Sequence, residues 1–169
     1  MIGYLIVFFV LLVILAIPVG LVVMILQFHY NKKDREIRNE AEAHRKILEQ
    51  TYDHIWSQIK QYCDIGEEYR RSFNNIYPNL IDTDMDDDRI LNWILDCNIN
   101  FEPSNYAIVM ENIADDRARF VSHQRRMINI MREHRELHDS KFRHRLIHNK
   151  TIIRYTPIAT NYDRWGNRL

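Results

Sequence analysis

Hydrophobic and polar positions follow two different rules along this chain. From Met1 to Tyr30 no position carries Asp, Glu, Lys or Arg. The run Ile2 to Leu26 reads as continuous apolar helix, about 37 Å long at 1.5 Å per residue, enough to cross a hydrocarbon layer of about 30 Å. A transmembrane helix over Ile2–Phe28 is therefore predicted, with Pro18 and Gly20 kinking it or loosening its packing. A cleaved signal peptide fits less well: a basic leader is missing, the apolar run is too long, and no small-x-small site lies near Gln27.

Beyond Tyr30 the apolar residues recur with helical period. Steps of four and three link Leu48, Tyr52, Ile55, Ile59, Tyr62, Gly66, Tyr69, Phe73 and Ile76, a seam of period 3.5. One long rod from Asn31 to about Ile76 is predicted, ended by Pro78. Its first part, Asn31 to Arg45, has Ile37 and Ala41 as its only helix-spaced apolar pair and reads as a solvated stalk. After the acidic turn Asp82–Asp88, in which Asp88 is the expected helix cap, a short helix carries Ile90, Trp93, Ile94 and Cys97. Pro103-Ser104-Asn105 then opens a second long helix, expected to reach about Ile147. Its seam of Tyr106, Val109, Ile113, Phe120, Met127, Ile130 and Leu137 is broken by Asp116, His123 and His134. In the tail, residues 151–169, Ile152, Ile153, Tyr155, Ile158, Tyr162 and Trp165 form an apolar set expected to pack along the bundle or dock on another chain.

These patterns imply an all-α protein in three parts: a transmembrane helix at 1–29, a soluble antiparallel three- to four-helix bundle at 30–150, and the tail at 151–169. Four Gly and four Pro in 169 residues suit long helices. The formal charge of zero hides a division between an oily segment and a strongly charged remainder. Lys32, Lys33, Arg35, Arg38, Arg45 and Lys46 follow the span and none precedes it, which places the soluble part in the cytoplasm. Cys63 and Cys97 are too few for a disulfide framework and read as reduced thiols.

Candidate chemistry is sparse. Asp82, Asp84 and Asp86 have the spacing that opens a calcium loop, but Asp87 stands where the loop needs Gly and Trp93 where it needs Glu. His134 with His138, and His144 with His148, are i,i+4 pairs able to hold a metal. Yet His134-Arg135-Glu136-Leu137-His138 is not the His-Glu-x-x-His pattern, and an exposed, salt-bridged helix face is the preferred reading. No Gly-rich phosphate loop, nucleophile elbow or nucleophile–base pair is present. Asn149-Lys150-Thr151 matches a glycosylation sequon, irrelevant on a cytoplasmic domain. The basic residues are spread around the second helix without a nucleic-acid-binding signature. No enzymatic activity, metal, cofactor, small-molecule substrate or nucleic acid is expected.

Two strings resemble the LemA family of membrane-anchored helical bundles: Ile55-Trp56-Ser57-Gln58-Ile59 and Ile76-Tyr77-Pro78-Asn79-Leu80-Ile81-Asp82-Thr83. Glu111 to Arg119 and Arg126-Met127-Ile128-Asn129 are similar in type to that family's later helix. The chain departs from the family by about seven residues between Trp56 and Pro78, by Tyr77 before the proline, and by an offset in the later match. The resemblance implies a tethered helical bundle and assigns no chemistry. Trp56, Ile59, Pro78, Asn79, Leu80, Tyr155, Tyr162 and Trp165 are the candidate structural and interaction residues. The expected function is a membrane-anchored scaffold whose partners are the bilayer, other proteins and a second copy of the chain. The competing reading is a phage-encoded lysis, exclusion or immunity factor.

Overall fold

The structure, a computed structural model, describes residues 2–81 and 87–156. Among the described residues it is all-α, with no strand. Helix α1 covers Ile2–Cys63, α2 Arg70–Ile81, α3 Asp87–Cys97, α4 Tyr106–Asp139 and α5 Lys141–Leu146. Single 3-10 turns at Glu67–Tyr69 and Pro103–Asn105 lead into α2 and α4.

The apolar segment long enough to cross a membrane and the polar helix that follows it are one element, since nothing between Gln27 and Asn31 breaks a helix. Pro18 lies inside α1 and deprives the Ile14 carbonyl of its usual donor. The rod is shorter than the seam predicts, ending at Cys63 instead of near Ile76. Asp64 takes a left-handed conformation with φ 50°, and Ile65 N–H donates to the Lys60 carbonyl at 3.1 Å. This is the six-to-one closure of a helix C-terminus. The Asn98 side-chain amide then donates to the freed Cys63 carbonyl at 2.8 Å. Of the seam residues past this turn, Gly66 caps and Tyr69 ends the 3-10 turn, and Phe73 and Ile76 belong to α2, so the period continued while the helix did not.

Four further expectations shift. Pro78 lies within α2, which runs on to Ile81. Asp88 is the second residue of α3 instead of its cap; most of the acidic turn, including Asp82, Asp84 and Asp86, lies outside the described residues. The second long helix breaks at Ser140, whose extended backbone (ψ 120°) separates α4 from α5. The stalk is not solvated all round: Asp34, Ile37 and Ala41 are buried.

The chain forms two units: unit 1 joins residues 1–39 with Glu133–Ile152, and unit 2 joins Glu40–Arg132 with residues 153–169. In unit 1, the α1 side chains from Phe9 to Phe28 are exposed save the half-buried Leu26. Its buried apolar residues are Ile37, Leu137 and Ile147.

Unit 2 is built round an aromatic cluster. Phe73 stacks within 5.0–5.9 Å of the rings of Tyr52, Trp56, Tyr77 and Trp93. Tyr77 also meets Phe120 edge-on at 5.2 Å. Ile55, Ile59, Leu80, Ile90, Ile94 and Ile113 complete a core with almost no exposed surface. Here α1 and α4 run antiparallel: Glu40 pairs with Arg126, His44 with His123 and His54 with Asp116, so numbers rise along one helix as they fall along the other.

Candidate functional site

Carried back from Leu48 by the same steps of four and three, the α1 seam passes through His44, Ala41, Ile37 and Asp34. Asp34 therefore occupies a packing position, and a carboxylate buried there must find donors. It finds them within unit 1. Arg38, one turn on, donates Nε–H to Asp34 Oδ2 at 2.8 Å. On α4, His134 and His138 stand one turn apart on one face, and their Nε2 atoms lie 3.0 and 3.1 Å from Asp34 Oδ1.

All three residues are buried, His134 with 0% of its surface exposed. The exposed histidine face anticipated from the charge pattern is thus corrected for this pair. His134 is a core residue because it continues the seam of Met127 and Ile130. Both nitrogens and Asp34 Oδ1 fall within 4.8 Å of one another.

Neighbouring groups hold this arrangement from outside. Arg38 Nη2 also donates to the backbone carbonyls of Asn149, at 3.2 Å, and Thr151. Asn31 clasps the same strand of chain: its amide donates to the Leu146 carbonyl, and its side-chain oxygen accepts from His148 N–H. His138 Nδ1 sits 3.3 Å from His144 Nδ1, whereas His134 Nδ1 is buried without a partner. A cleft of about 530 Å³ reaches Asp34, lined also by Met24, Phe28, Asn31, Arg35 and Arg38; it lies where apolar α1 becomes polar.

The electrostatics follow from burial and pairing. Burial pushes the Asp34 carboxyl up, but hydrogen bonds from Arg38 and His138 and the nearby positive charge outweigh it and hold the group below its ordinary value. Burial lowers His134 to about 4, aided by His138 and Arg38. At neutral pH an anionic carboxylate therefore faces a neutral imidazole.

The residues singled out from sequence lie elsewhere. Trp56, Ile59, Asn79 and Leu80 are buried in unit 2, and Pro78 is half-buried in α2. Tyr155 is half-buried and donates its hydroxyl to Gln124 Oε1 at 3.0 Å, beside a cleft of about 630 Å³ lined by Arg45, Leu48, Tyr52, Phe120 and Arg154. Burial raises its phenol to about 12. Tyr162 and Trp165 lie outside the described residues. Sequence reasoning missed Asp34, although extending the seam backward by two heptads finds it. His148, offered as the partner of His144, is exposed and serves through its backbone.

No protein-family model, curated protein or solved structure matches this chain.

Proposed function

We propose that this protein is a single-pass membrane-anchored scaffold of LemA-like type, which holds a cytoplasmic helical domain at the membrane surface and presents it to other proteins. The observation that carries the reading is the exposure of the uncharged side chains from Phe9 to Phe28 on the same helix that enters the packed domain. An apolar surface of this extent and length matches a hydrocarbon layer, and far exceeds the few hundred Å² a soluble monomer tolerates. That α1 runs on without a break to Cys63 argues for an anchor over a removable leader. The basic residues Lys32, Lys33, Arg35 and Arg38, directly after the span, favour a cytoplasmic domain. The two local strings that resemble the LemA family fit this architecture.

The test is expression of the full chain in a bacterial host, followed by alkaline extraction of membranes, amine-specific crosslinking in intact cells and a dye-permeability assay. The reading expects protein that resists extraction, crosslinks reproducibly to itself or a defined partner, and leaves the membrane tight. Freely soluble protein overturns the anchor, and a leaking membrane favours the lysis-factor alternative.

A further inference from the structure

We propose that Asp34, His134 and His138 form a binding site for one divalent transition-metal ion of the zinc class, which fastens the first turns of α1 beyond the membrane to the end of α4. The donor chemistry is that of a three-ligand site: two imidazole nitrogens and one carboxylate oxygen. Ligands about 2.0–2.1 Å from a tetrahedral zinc ion lie about 3.3 Å from one another. Asp34 Oδ1 already stands 3.0 and 3.1 Å from the two Nε2 atoms, so small movements admit the ion. The histidines come from one helix face at i,i+4 and the carboxylate from a facing helix, the way bundles assemble metal sites.

Supporting groups are also present. Arg38 occupies Asp34 Oδ2 at 2.8 Å, which leaves Oδ1 free to bind through a single oxygen. His144 Nδ1, 3.3 Å from His138 Nδ1, can accept a hydrogen bond from the N–H that a metal-bound imidazole carries on its far nitrogen. Without the ion, each imidazole keeps its proton on Nε2 and donates to Asp34. Binding transfers that proton to Nδ1 by exchange with solvent, frees the Nε2 lone pair for the metal, and needs no net loss of protons. For His138 the moved proton faces His144; the His134 Nδ1 stays buried and unpartnered in both states. The fourth position belongs to water, supplied from the cleft that reaches Asp34.

The experiment uses the full chain in detergent micelles, stripped with chelator and titrated with Zn²⁺ against a fluorescent competitor, and separately with Co²⁺ followed by visible absorption. Expected are one equivalent bound with micromolar or tighter affinity and the intense bands of four-coordinate cobalt. Affinity falls more than about 100-fold in His134→Ala and His138→Ala, falls about 10- to 100-fold in His144→Ala, and is unchanged in His148→Ala. Because a buried alanine variant can fail to fold, His138→Cys supplies a gain of signal: a thiolate-to-cobalt charge-transfer band. Absence of stoichiometric binding by the wild type, absence of that band, or undiminished affinity in both folded histidine-to-alanine variants overturns the site.

Discussion

Acidification tests the buried polar cluster directly. In the metal-free protein His134 titrates at about 4, against an ordinary 6.5, because its surroundings oppose its charge. A group whose folded value is lowered binds fewer protons folded than unfolded, so it takes stability away as the pH falls below 6.5, and the loss levels off below about 4. From about pH 7 to about pH 4.5 one such imidazole removes about 2 kcal/mol. Asp34 acts in the same direction but only below its ordinary 3.8, outside this window. His123, also lowered by burial and by His44, adds to the total slope, so the informative quantity is a difference. His134→Gln removes the titration while offering Asp34 an amide N–H in place of the imidazole. Guanidinium unfolding of the full chain in micelles with chelator, followed by circular dichroism, is to be run from neutral to acidic pH. The wild type should lose about 2 kcal/mol more than the variant. Equal losses would refute the claim that burial keeps His134 neutral.

Three further outcomes follow from unit 2 and the end of α1. Phe73→Ala, which empties the centre of the aromatic cluster, should cost about 4 kcal/mol in denaturant unfolding followed by tryptophan fluorescence; a loss under about 2 kcal/mol would show the cluster is not a packed core. The exposed Phe142→Ala serves as its control, expected within about 0.5 kcal/mol of wild type. Asp64→Gly should stabilise by about 0.5–1 kcal/mol, since only glycine adopts a positive φ without steric cost; a lower melting temperature would contradict the turn. Burial raises Cys63 to about 12 and Cys97 to about 11, so both thiols should resist alkylation near neutral pH until denaturant is added, with Cys63 the slower. Rapid labelling of Cys63 in the native protein would place it at the surface.

How much was legible in advance depends on whether a residue's partner is near in sequence. The membrane-length helix was legible because apolar length and absence of charge are properties of one continuous segment. So was the all-α class, from a seam whose period appears again as the buried residues Leu48, Ile55, Ile59, Phe73 and Ile76. The rod's end was not: the same period continues through Gly66 into α2, and the break comes from Asp64 adopting a left-handed turn that a periodic pattern does not register. Pro78 misled for a related reason: it stands in the third turn of α2 and denies the Asn74 carbonyl its usual donor, yet the buried side chains of Tyr77, Leu80 and Ile81 hold the helix through to Ile81.

The candidate site shows the same division more sharply. Asp116, His123 and His134 were visible as polar breaks in the α4 seam, and a break of that kind predicts an exposed face if nothing answers it. Each is answered from α1, by His54, His44 and Asp34. By itself the sequence determined that two helices carry seams of period 3.5 interrupted by ionisable residues, because spacing along a helix dictates which side chains share a face. Only the tertiary structure decided that those interruptions meet their partners across 62 to 100 residues of chain, because a buried charge is tolerated only where the packing register brings a partner within hydrogen-bond distance.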